Sequence, residues 1–152
     1  MSNWATITID NLNAASVSWK VGIIQNAAAA RSLPDPAPAA IANVTQELRS
    51  VIGFSGKYTV DQDGTKLPNG LLDLAIKKIV REMTRAVQMP LTEDEKSDER
   101  TYEARLEKIR IGQWSIEPAD NPVQVPQVQS SVLTPLIQPR RRRFTHRHEE
   151  GM

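Results

Sequence analysis

The stretch PNGLLDLAIKKIVREMTRAVQ, residues 68–88, decides the fold. Leu72, Ala75, Ile76, Ile79, Met83 and Val87 recur every three or four residues, so they share one face of an α-helix. Pro68 suits the opening of that helix and Pro90 stops it. A face this apolar needs other helices to bury it.

The flanking sequence supplies them. Downstream, Thr92-Glu93-Asp94-Glu95 fits a capping box, in which Thr92 accepts from a free amide and Glu95 reaches back. The helix it starts buries Tyr102, Leu106 and Ile109 and closes at Gly112. Acidic residues crowd its first turns, and Arg105, Lys108 and Arg110 its last, as the helix dipole favours. Upstream, Asp35-Pro36 pairs a capping side chain with a proline and starts a helix to about Ile52, ended by Gly53. Its stripe is Ile41, Val44, Leu48 and Val51. Asp10 or Asn13 caps an earlier helix to about Ala30, with Val17, Val21, Ile24 and Ala28 on one face. Residues 1–9 alternate loosely and suit a short strand or extended segment. Residues 53–70 read as a loop with a small hairpin at Asp63-Gly64.

Beyond Pro118 the pattern changes. Pro118, Pro122, Pro126, Pro135 and Pro139 forbid regular helix. Yet Val123, Val125, Val128, Val132, Leu133, Leu136 and Ile137 are too apolar for a solvated tail. The expectation is an all-α protein: a bundle of about four helices over residues 10–117, preceded by an extended segment 1–9. A long proline-rich arm, residues 118–152, leaves the bundle and docks elsewhere.

Composition narrows the chemistry. Net charge is +1, and the chain has no cysteine, which removes disulfides, thiolate nucleophiles and the common zinc sites. No apolar run is long enough for a membrane span, and the start does not read as a secretion signal. A soluble protein follows as the expectation. Asp61-x-Asp63-Gly64 is similar to a calcium loop, but the glycine is misplaced and position twelve is Leu72 in place of a glutamate, so an exposed turn is expected. His146, His148, Glu149 and Glu150 lack a scaffold for a metal. Ser55 and Ser130-Ser131 have no histidine placed beside them. No catalytic residue, metal or cofactor is expected, and no enzymatic activity.

Two basic features remain. Lys77, Arg81 and Arg85 are spaced four apart and are expected on an exposed face, contacting a neighbour or a channel. Of the 19 Lys and Arg, the five beyond residue 117 all lie between Arg140 and Arg147. Arg140, Arg141, Arg142 and Arg143 suit carboxylates on a protein surface or, with Phe144 stacking on a base, nucleic acid. Trp114 follows Gly112 closely and either folds back on the bundle or anchors a neighbour.

Several stretches together resemble the small head–tail adaptor (neck or head-completion) proteins of Mu-like and related long-tailed phages. They are Ile41 to Arg49, Leu67-Pro68 with Leu72, Ala75, Ile79 and Val80, and above all Arg100 to Gly112. The end, Arg143-Phe144-Thr145-His146-Arg147 with Gly151-Met152, is similar to the family's closing motif, although His148-Glu149-Glu150 stand where aspartate is usual. The resemblance implies a homo-oligomeric, dodecameric ring under the portal protein that extends the DNA channel and seats a tail-side neck or tail terminator protein. It implies location in the virion neck, and in host cytoplasm during assembly, with non-specific contact to packaged DNA and none to membrane. Portal or subunit contacts are expected from Val132, Leu133, Leu136, Ile137, Arg140 to Arg143, Phe144 and Arg147. The alternative function is a nucleic-acid-associated module working through Arg140–Arg143.

Overall fold

The computed structural model describes residues 2–15 and 18–124. Those residues are mostly helical: β1 (Trp4–Thr6), α1 (Ile9–Ala14), α2 (Ser18–Ala30), α3 (Ala37–Phe54), β2 (Lys66–Pro68), a 3-10 turn (Asn69–Leu71), α4 (Leu72–Ala86) and α5 (Glu93–Arg110). Helices α3, α4 and α5 form the centre, and α2 packs on α4. The expected bundle is therefore present, with a two-stranded ribbon added.

Local signals account for the helix ends. Thr92 and Glu95 make the reciprocal capping box at the start of α5. Asp35 accepts from the Ala37 amide at 2.9 Å, and α3 starts one residue after Pro36. The expected first helix is two: Thr8, in place of Asp10 or Asn13, caps α1 with Asn11, α1 ends at Ala14, and α2 starts at Ser18. Val21, Ile24 and Ala28 bury as expected, whereas Val17 lies outside the described residues.

Four helices are followed by a residue in the left-handed region: Ser32 and Gln88 at φ 55°, Gly56 at φ 65° and Gly112 at φ 71°. At α4, the Met89 amide donates to Thr84 O and the Gln88 amide to Arg85 O, the paired bonds of a Schellman motif. A side chain at φ 55° is strained, and glycine relieves that strain at an entropic cost in the unfolded chain. We expect Gln88→Gly to raise stability by about 0.5 kcal/mol. Gly112→Ala should do the reverse, by about 1.5 kcal/mol, since its Cβ would also fall 2.0 Å from Lys57 Cδ. Thermal melts of the two variants check both signs; equal melting would mean that backbone strain does not matter at these caps.

The hairpin expected at Asp63-Gly64 is not formed within the loop. Asp63 instead closes a turn, accepting from the Thr65 amide at 3.0 Å, and β2 pairs antiparallel with β1 in the register Trp4 to Pro68 and Thr6 to Lys66. Pro68 lies in that strand, so α4 starts later, after the 3-10 turn.

The core joins Leu48 and Ile52 of α3, Ala75, Ile79 and Met83 of α4, and Ile109 of α5, with Trp4 and Leu67 beneath the ribbon. Ile76 and Leu106, expected fully inside, pack against this core only half-buried. On α4 the buried face is rotated from the apolar stripe, so that Lys78, Arg81 and Thr84 are buried where apolar periodicity alone would leave them outside.

Candidate interaction surfaces

The basic face of α4 is not the exposed surface that its spacing suggested. Arg81 is 2% exposed. Its Nε donates to Glu99 of α5 at 2.7 Å, and Lys78 Nζ reaches the other Glu99 oxygen at 2.7 Å and Glu82 at 3.0 Å. Arg85 is 45% exposed but pairs with Glu82 at 2.9 Å and Glu99 at 3.5 Å. Lys77 is half-exposed and nearest to Asp73, at 3.6 Å. The expectation of an exposed row is corrected at Arg81, which is buried, whereas Lys77 and Arg85 keep part of their side chains at the surface. The cause is α5, whose acidic first half lies over the C-terminal half of α4 and supplies Glu99.

Tyr102 completes this cluster. Lys78 and Arg81 stand 5.0 and 5.7 Å from its ring centroid, and its hydroxyl donates to Glu47 at 3.0 Å. Burial, then the nearby Glu47 carboxylate, pushes the Tyr102 phenol far above its ordinary value. Arg81 Nη2 is buried and has no hydrogen-bond partner. Burial works against the Glu99 carboxylate, but hydrogen bonds from Lys78 and Arg81 outweigh it and hold Glu99 below the usual range. The arrangement is an ion-pair lock between helices, in which Glu99 serves Lys78, Arg81 and Arg85.

Trp114 folds back, as one of its two readings had it. It packs against the core with Arg105 5.5 Å from its ring, and the Tyr58 hydroxyl donates to its carbonyl.

After Trp114 the chain does not leave the body at Pro118, as expected; it stays bound through Val123. Asp120 accepts from the amides of Asn3 and Trp4, at 3.0 and 3.1 Å, and from the Ser2 hydroxyl. Trp4 Nε1 donates to Glu117 O at 3.1 Å, and the Gly70 amide donates to the Glu117 carboxylate. Asp61 is fully buried, not part of an exposed turn, and accepts from the amides of Asn121 and Asp63, each at 2.9 Å. The Asn121 amide first, then that of Asp63, holds the Asp61 carboxyl below its usual range. The Ser2 hydroxyl first, then the Asn3 amide, does the same for Asp120. Arg49 lies 5.7 Å from the Trp4 ring and donates to the carbonyls of Lys66 and Asp61. Two carboxylates thus bind the outgoing chain to the first strand and to the 60–62 segment. A lone Asp between Pro118 and Pro122 carries no sequence signal that it ties to residues more than a hundred positions away.

Large apolar side chains are left outside on α2 and at the end of α3, besides Ile9 at the start of α1. Trp19 and Ile23, one turn apart on α2, are 68% and 46% exposed, and Phe54 at the end of α3 is 78% exposed. Exposed aromatics of this kind are commonly interface anchors. Among the described residues, no group of acidic side chains or histidines is arranged to hold a metal ion, and no helix is long and apolar enough to cross a membrane. The expected partner-facing residues Val132, Leu133, Leu136, Ile137, Arg140, Arg141, Arg142, Arg143, Phe144 and Arg147 lie outside the described residues.

Comparison of the chain with protein-family models, with curated proteins and with solved structures finds no match.

Proposed function

We propose that this chain is a non-enzymatic structural subunit of a tailed-phage neck, a head–tail adaptor that forms a ring on the portal. The ring extends the DNA channel and offers a platform to the tail-side neck or tail terminator protein. The reading starts from the resemblance carried by residues 41–49, 67–80 and 100–112. The observation that carries it further is the tie at Asp61 and Asp120, which holds the chain at a defined point of departure. Beyond that point come the apolar beads from Val125 to Ile137 and the arginines from Arg140 to Arg147. A compact body that fixes the root of a sticky arm suits a subunit that joins others. Each arm loses entropy on ordering and binds weakly, and a ring of copies restores strength through avidity.

Deleting Gln138–Met152 tests this. The truncated protein should melt like the full chain and keep its helical signal. It should fail to join heads to tails, which micrographs would record as separate heads and tails. Normal infectious particles from the truncated protein would refute the reading. Duplex DNA binding by the isolated protein that falls steeply with salt, with no ring in micrographs, would favour the nucleic-acid module instead.

A further inference from the structure

A cleft of about 650 Å³ lies along α3, between the β1–α1 link at Thr6–Ile7 and the turn at Gly64–Thr65. Pro38, Ile41 and Ala42 form much of its floor, and Ile7 and Thr65 stand at its sides. Its lining holds one charged residue, Arg49, whose guanidinium already donates to two backbone carbonyls. The cleft therefore offers no free charge to an ionic ligand. It offers apolar surface, with Gln46 and Ser50 in the lining to hydrogen-bond a backbone. That is the chemistry of a groove for an extended, uncharged, proline-bearing peptide.

The chain carries such a segment. From Asn121 to Pro139 there is no charged residue, and Val125, Pro126, Val128, Val132, Leu133, Pro135, Leu136 and Ile137 lie within it. Where the described chain ends decides which cleft this segment can fill. The Gln62 amide donates to Asn121 O and the Val123 amide to Val60 O, each at 2.8 Å, so residues 121–123 run antiparallel to 60–62. The chain is thus travelling from Gln62 toward Val60, whose methyl lies 3.6 Å from where a side chain on Gly53 would begin. It heads for the C-terminal end of α3, away from the Gly64–Thr65 wall of its own cleft. Its own cleft lies behind it, and from Val125 to Ile137 an extended chain reaches about 40 Å, enough to leave its own body.

We infer that residues 125–137 of one copy dock in the α3 cleft of a second copy. Each copy then gives one arm and receives one, through two different surfaces. Such a heterologous contact continues from copy to copy, and it closes as a ring where the rotation between copies is a whole fraction of a turn. The inference deepens the adaptor reading and rests on it for the ring. The apolar part of the arm joins neighbours, and Arg140–Arg147 remain beyond it for a further partner.

The chain has no cysteine, so an introduced pair reports unambiguously. Copies carrying only Ala42→Cys, on the cleft floor, are mixed with copies carrying only Val132→Cys and oxidised mildly. A disulfide forms only when the Cα atoms come within about 7 Å. The mixed pair should form a covalent dimer at least tenfold faster than a control that pairs Val132→Cys with Glu103→Cys on the outside of α5. Adding Gln46→Glu, which puts a charge in the cleft at an exposed lining position, should remove that advantage while leaving the melt unchanged. The doubly substituted chain, Ala42→Cys with Val132→Cys, should give a ladder of covalent oligomers. A rate equal to the control overturns the inference, and so does a doubly substituted chain that closes only within one monomer. A ring in micrographs without the cross-link overturns arm docking and leaves the adaptor reading standing. The cross-link together with normal particles from the Gln138–Met152 deletion supports arm docking and overturns the adaptor reading.

Discussion

Glu99→Gln is expected to cost about 3 kcal/mol of folding stability, because removing one member of a buried ion pair leaves Arg81 buried, charged and without a carboxylate. Glu99 is the acceptor for Arg81, Lys78 and Arg85 together, and Arg81 is 2% exposed. The melting point should fall by roughly 10 °C. Replacing Arg81 and Glu99 together by Met should restore most of this, since a well-packed apolar pair avoids the desolvation cost that the ions carry. The double-mutant cycle isolates the coupling. The pH dependence has a definite sign. The Glu99 carboxyl is depressed in the folded state, so its contribution is full above the ordinary glutamate value of about 4.3. It is lost as pH falls through the lower folded value. The wild type should therefore lose stability on acidification below about pH 4 more steeply than Glu99→Gln. A melting point for Glu99→Gln within a degree or two of wild type would show that the lock does not bear on stability.

The same cluster shows where sequence reading stops. The capping box at Thr92 was legible because its bonds span three residues, and Asp35-Pro36 was legible for the same reason. The α4 stripe was legible because Ile79 and Met83 repeat with the helix. Arg81 was misplaced because its position on the helix does not reveal that α5 will lie over it, and the carboxylate that justifies its burial is eighteen residues away, counting from the pair itself. The acidic run at the start of α5 has a sufficient local explanation in the helix dipole, so it carries no sign of a cation on a neighbouring helix. The ribbon was hidden for a related reason. Trp4–Thr6 and Lys66–Pro68 are each three residues long, and their pairing is decided by tertiary packing under Trp4 and Leu67 rather than by a turn. Proline correctly marked residues 118–123 as non-helical, but it could not say that their amides and carbonyls find partners on the body.

Trp4→Ala should cost about 4 kcal/mol, in the range for emptying a buried tryptophan site, and its effect should be concentrated at the root of the arm. The side chain is 1% exposed, lies against the Arg49 guanidinium, and donates its indole N–H to Glu117 O at 3.1 Å. Its own amide is one of the donors that hold Asp120. Losing the ring removes the packing beneath the ribbon and one of the bonds to the outgoing chain. Hydrogen exchange on Trp4→Ala should then show the Gln62 and Val123 amides losing protection before the amides of α3 and α5. Trp4→Phe separates packing from hydrogen bonding, because it keeps most of the apolar contact and leaves the Glu117 carbonyl without its donor. That variant should cost less, about 1–2 kcal/mol. Retained protection at Gln62 in a folded Trp4→Ala protein would show that Asp61 and Asp120 hold the chain unaided. If the tie does aim the arm at a neighbour, the Ala42→Cys and Val132→Cys cross-link should slow in Trp4→Ala at temperatures where α3, α4 and α5 are still folded. The arm would then be attached to the same body by the same number of residues, but it would no longer start from a fixed direction, and the effective concentration of its apolar beads at the next cleft would fall.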